Sequence, residues 1–218
     1  MDATAPRRTL DLPQRAGLLR RALHLELLTV GWNLAEGLIA VTAALAAGSV
    51  ALLGFGIDSF VESASGGILL WRLLEEKKGM AACEIERLDH RARRLVAVSL
   101  FALAAWVAFD AARALLEREE PRASWVGIGL TTVSIFVMIW LARAKRHTAA
   151  GLGSRALEAD AFQTTACWWL SILTLLGIGL NATLGWWWAD PVAALAMTPL
   201  ILHEGREAWR GEACGCGA

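Results

Sequence analysis

Six times along this chain there is a run of about 20 mostly apolar residues, the length at which a helix rising 1.5 Å per residue crosses roughly 30 Å of hydrocarbon. The runs lie near Leu23–Ala47, Val50–Leu74, Leu95–Leu116, Ala123–Leu141, Arg155–Leu180 and Trp186–Leu202. They are too long and too rich in Leu and Ala for strands. Inside lipid, backbone amides must be paired within the segment, which leaves the helix as the spanning element. The expected fold class is therefore all-α: a polytopic membrane protein, a bundle of six transmembrane helices. Composition agrees, with 56% hydrophobic and 19% charged residues where soluble domains carry about 45–50% and about 25%. Formal net charge is zero, so no nucleic-acid partner is expected. The four cysteines are scattered and suggest no disulfide framework.

Charge asymmetry orients the bundle. The Ala47–Ser49 and Asn181–Gly185 links carry no basic residue, whereas the Glu75–Arg94 and Ala142–Ser154 links are basic. Of the 21 Lys and Arg residues, 18 fall on one side, leaving Arg113, Arg118 and Arg122 on the other. Positive residues stay inside, so both termini are expected in the cytoplasm, with the bundle in the cell inner (plasma) membrane. The amino end does not read as a cleavable signal, its apolar stretch being too long. The expected organisation is a cytoplasmic segment 1–21, a transmembrane domain 22–203 and a short cytoplasmic tail 204–218.

Against that apolar background, ionisable residues stand out, because each costs about 2.5–3.5 kcal/mol at mid-bilayer. The second run contains Asp58 and Glu62, four apart and so on one helical face. The fifth contains Gln163 and Cys167, also four apart, with Asp160 on their face one turn earlier. Counting helical rise from the membrane boundaries puts Asp58 and Glu62 about 12 and 18 Å deep from one side, and Gln163 and Cys167 about 10 and 16 Å from the other. If the two helices are neighbours, Asp58 is level with Cys167 and Glu62 with Gln163. Two carboxylates, an amide oxygen and a thiolate are a donor set for one divalent cation. Zinc accepts such N, S and O ligands in tetrahedral geometry, and its charge would offset the burial of two anions. Small polar neighbours such as Ser59, Ser63, Thr164 and Thr165 serve equally well as helix–helix packing contacts.

Other polar positions are weaker signals. Glu36 in the first run is a candidate for the proton or metal path, or a partner for Asn33. Asp110 lies near a span end and reads as structural. Asp190, followed by Pro191, reads as the cap of the sixth helix. Cys214 and Cys216 near the carboxyl terminus form a Cys-x-Cys pair that reads as a reduced, unstructured end, and Cys83 has no obvious partner. His24, His90 and His147 read as solvated. Trp125 and Trp186–Trp188 fit one interfacial belt, and Trp71, Trp140 and Trp209 the other. No nucleophile–base set or cofactor motif points to an enzyme.

These residues carry a resemblance. Gly48-Ser49-Val50-Ala51-Leu52-Leu53 leading into Asp58-Ser59-Phe60-Val61-Glu62, then Ala159-Asp160 in the fifth run and Asp190-Pro191 at the sixth, are similar to the cation diffusion facilitator family of six-helix carriers. The resemblance implies a proton-coupled exporter of divalent transition metals, zinc first, with cadmium, cobalt or iron as alternatives. It implies alternating access around a midplane site, a homodimer, and no permanently bound cofactor beyond the transported ion. Asp58, Glu62, Gln163 and Cys167 take the metal-ligand positions, with Asp160 and Glu36 beside the ligands or on the proton path. The family's common fifth-helix pair is His and Asp, replaced here by Gln163 and Cys167. Its usual cytosolic domain after the sixth helix and a His-rich loop after the fourth are not expected. The replacement supports an alternative expectation, a non-transporting membrane scaffold or metal sensor that retains the carrier fold.

Overall fold

A computed structural model describes residues 12–78, 82–118 and 120–210. These residues form six helices: α1 (Leu12–Ala47), α2 (Val50–Lys78), α3 (Ala82–Glu117), α4 (Trp125–Leu152), α5 (Arg155–Leu184) and α6 (Ala189–Arg210). Among the described residues there is no strand. Each apolar run lies on its own helix, but several helices continue past the run. The first helix begins at Leu12 rather than near Leu23, the third at Ala82 rather than near Leu95, and the fourth ends at Leu152 rather than near Leu141. Hydropathy marks only the part that tolerates lipid, whereas helix propagation continues through Ala, Leu, Arg and Glu, all good helix formers. The boundaries drawn at 21/22 and 203/204 therefore fall inside α1 and α6.

The connections alternate the helix directions, so the start of α1 and the end of α6 share one end of the bundle. Two of the turns are the same dipeptide. Gly48-Ser49 joins α1 to α2 and Gly153-Ser154 joins α4 to α5. Gly48 (φ 70°) and Gly153 (φ 64°) take the left-handed conformation that closes the preceding helix. Each Ser then caps the next helix, Ser49 Oγ accepting from Leu52 N at 3.1 Å and Ser154 Oγ from Leu157 N at 3.4 Å.

Around the bundle the helices follow the order α1, α4, α5, α6, α3, α2, with α2 also packed against α5 and α6. The helix carrying two of the candidate ligands is thus the most enclosed. Its Leu52 and Phe55 are buried in a core shared with Leu100, Met138, Leu170 and Met197. Asp190 does not cap its own helix. From the first turn of α6 its carboxylate accepts from Ser49 Oγ, from Val50 N at 2.9 Å and from Ala51 N at 3.3 Å. It holds the start of α2, where four backbone N–H groups lack partners in the helix and a negative charge is favoured. At the same end Arg122 N donates to Ala47 O (2.8 Å) and Asn181 Nδ2 to Pro121 O (2.7 Å).

Polarity is inverted relative to a soluble bundle. Glu26, Asn33, Glu36, Asp58, Glu62 and Lys145 are buried, whereas Leu38, Leu45, Phe109, Leu116, Phe136 and Trp125 stand exposed. Such a surface is stable against lipid and not against water. Among the described residues, length and apolarity alone qualify Gln14–Ala47, Trp125–Leu152 and Asp160–Leu184 as spans. The other helices carry more charge, and on α2 the acids Asp58 and Glu62 face the interior. The protein is an integral, multi-pass membrane protein.

Candidate functional site

The site begins with a close approach of two backbones. A side chain at Gly56 would put its Cβ 2.9 Å from Ala40 Cβ and from Val41 N, so α1 lies directly on α2 there. That contact brings Glu36 against the helix of the paired acids, and Ser59 Oγ donates to Glu36 Oε2 at 3.2 Å. Asp58 and Glu62, on one face as expected, are 3% and 2% exposed. From α5, Cys167 is buried with its thiol in the electrostatic field of Glu62, Glu36 and Asp58, Glu62 acting most strongly. From α6, Glu204 interacts electrostatically with Asp58 and Glu62. Helices α1, α2, α5 and α6 thus each contribute a buried group that can carry negative charge.

The register between α2 and α5 differs from the expected one. Gln163 is only half-buried and its Oε1 accepts from Ser65 Oγ at 3.1 Å, three residues beyond Glu62, while Glu62 and Cys167 interact electrostatically. The levels estimated from helical rise counted each helix from its own membrane boundary, whereas packing across the interface sets how far α2 and α5 slide past one another; α5 itself begins at Arg155, as expected. Asp160 is buried and engaged elsewhere, accepting from Lys145 Nζ. Lys145 is fully buried and also lies 3.2 Å from Glu26 Oε1, on a side chain that is likewise fully buried. In the sequence Lys145 counts among the solvated cations of a basic link; in the fold it is an interior residue.

What distinguishes this region is unmet hydrogen-bonding capacity. Both oxygens of Glu62, both polar atoms of the Asn33 amide, Glu36 Oε1 and Glu204 Oε1 are buried without a partner. Each such atom costs about 1–3 kcal/mol when left unpaired, and native interiors rarely tolerate several together. Carboxylate, amide and thiol donors converging from four helices suit a cation that loses water and takes protein ligands in exchange. Among the described residues, no three His, Cys, Asp or Glu side chains stand close enough together to hold a metal ion in this conformation.

Three participants escaped the sequence reading: Lys145, Glu26 and Glu204. Lys145 had a usable signal, since Met138, Leu141, Ala142, Thr148 and Ala149 share its buried stripe on α4. Asp110 pairs with Arg113 at 3.3 Å near the end of α3, a structural contact. His24, His147 and His203 are exposed. Cys214 and Cys216, and the side chains of Cys83 and His90, lie outside the described residues.

Comparison with known proteins covers nearly all of this assembly, Glu26 lying one residue before the match. The family profile described as the cation efflux transmembrane domain matches residues 27–210, which include Asp58, Glu62, Gln163, Cys167 and Glu204. An uncharacterized transporter of Synechocystis sp. is 25% identical over 194 residues, spanning 85% of this chain and 61% of the relative. The chain thus spans less than two thirds of that relative's length. With a single family profile extending from α1 to the end of α6, the chain belongs to the cation efflux family.

Proposed function

We propose that this protein exports divalent transition-metal ions, zinc first, in exchange for protons, by alternating exposure of a mid-membrane site to the two sides. The observation that carries the reading is the group of unpartnered, buried polar atoms around Glu62, shared between α1, α2, α5 and α6. Asp58, Glu62 and Cys167 are the ligands in this reading. Gln163 joins them by turning away from Ser65, and Glu36 and Asp160 lie along the proton path. Carboxylate and thiolate bind metal only when deprotonated, so protons and metal compete for the same atoms. That competition is the coupling: protons arriving from one side release the metal to it. The positive-inside distribution supports cytoplasmic termini in this reading, and assembly as a homodimer belongs to it as well.

Among the described residues no three His, Cys, Asp or Glu side chains form a metal-holding group in this conformation, which supports a second reading, a scaffold or sensor that keeps the carrier fold without transport. Flux separates the two. In proteoliposomes with a pH gradient, the protein should move zinc, cadmium, cobalt, iron or manganese to different extents. Asp58→Ala should abolish that flux. Cys167→Ala should shift selectivity from the softer ions toward manganese, because sulfur favours soft metals. Folded protein with no flux for any of these ions supports the scaffold.

A further inference from the structure

The ion cluster at Lys145 has a position as well as a composition. Nζ of Lys145 donates to Asp160 Oδ2, to Glu26 Oε2 at 3.3 Å and to Thr164 Oγ1 at 3.4 Å, which uses all three of its N–H groups. One cation from α4 is therefore clamped between carboxylates of α1 and α5, and α1 and α5 both border α4 in the bundle. Asp160 precedes Cys167 by seven residues on α5, so the cluster lies about 10 Å nearer the end of the bundle that bears both termini.

An apolar collar covers it on that side. Ala22, Ala149 and Leu157 sit one turn beyond Glu26, Lys145 and Asp160 respectively, and they pack with Leu69 and Leu73 of α2 in one buried cluster. Along the bundle axis from Glu62 and Cys167 toward the termini, the Lys145 cluster comes first and the collar second. Lys145 also feels Glu62 electrostatically, so the charge state of the inner site reaches it. One ammonium faces two acidic side chains, so the cluster holds more oxygen ligands than a single ammonium needs, and a cation entering there finds oxygen donors in place.

We propose that Lys145, Glu26 and Asp160 form an ion gate on the termini-bearing side of the candidate site, in which the Lys145 ammonium occupies a cation position that a passing metal ion takes over. A divalent cation entering between Glu26 and Asp160 replaces the ammonium as counter-charge, and α4 is then free to part from α1 and α5. An uncharged solute offers no such replacement, so the gate admits cations selectively. The purpose of the gate rests on the carrier reading; its existence does not.

Cys167 is a built-in reporter for this gate, because it is 1% exposed and lies on the site side of the cluster. Cys83→Ser, Cys214→Ser and Cys216→Ser leave it as the only thiol. Its modification by a membrane-impermeant maleimide would be followed in vesicles of each orientation. Lys145→Met should raise labelling from the termini-bearing face at least about tenfold, as expected when a buried pair loses one partner, with no change from the opposite face. Lys145→Arg should label at the starting rate. Because Lys145→Met leaves two buried acids without their cation and can fail to fold, the neutral variant Glu26→Gln/Lys145→Met/Asp160→Asn is the deciding one, and it too should label fast from that face. Unchanged labelling in the folded neutral variant, or an equal rise from both faces, overturns the gate. Zinc flux measured in the same vesicles keeps the two ideas apart: faster labelling without flux retains the gate and removes the carrier, whereas flux with unchanged labelling removes the gate.

Discussion

Individual residues in this protein are decided by which face of a helix they occupy and what lies opposite. Asp190 illustrates it: adjacency to Pro191 reads as a cap for α6, yet the carboxylate reaches the start of α2 through Ser49, Val50 and Ala51. Asp190→Ala should therefore lower stability by about 1–2 kcal/mol, the range measured for lost helix caps. Thermal unfolding in detergent would register it, with Asp190→Asn retaining part of the stability. An unchanged midpoint would show that the clasp contributes nothing. The sequence made Asp58 and Glu62 legible because charges four apart in an apolar run have few explanations. It left Glu26 and Glu204 illegible and Lys145 legible only through its stripe on α4, because each sits among charges or near a span end, where solvation is the ordinary outcome. Only the burial of their neighbours reveals them.

Between elements, the decisive contact is α1 against α2. Gly56 has no room for a methyl group, with Ala40 Cβ, Val41 N and Val41 Cγ2 all 2.9 Å from where a Cβ would stand. Gly56→Ala should cost about 1–3 kcal/mol, the range for overpacked interiors, and should weaken metal binding by pulling Glu36 away from Ser59. Isothermal titration with zinc beside a melting curve would report both; a variant as stable as the parent, with unchanged affinity, would mean that α1 moves aside freely. Six helices and their order along the chain are legible from apolar runs. Their inner ends are not, since a helix does not stop where lipid does. Register between α2 and α5 was beyond reach for a different reason: α5 starts at Arg155 as the apolar run does, but how far two helices slide past one another is set by packing across their interface, marked here by Ser65 against Gln163.

For the whole molecule, the inverted polarity links folding to function. A bundle that hides Glu36, Asp58, Glu62 and Glu204 together holds several acids in a space with little water, and their mutual repulsion is relieved by either protons or a metal ion. Zinc affinity should therefore fall as pH is lowered from about 8 to about 6, since the ligand groups bind metal only in their deprotonated forms. Titrations across that range in detergent would check the sign, and an affinity indifferent to pH would remove proton competition as the coupling. The Asp190 clasp has a mechanical corollary. Its hydrogen bonds tie α2 and α6 at one end of the bundle, so a tilt that keeps them pivots there like a pair of jaws on a common hinge. Over roughly 30 Å of membrane, a swing of about 5° carries the far tips apart by about 2.6 Å. Glu204 rides toward those tips, so the hinge converts a small angle into a change in how closely that acid approaches Glu62.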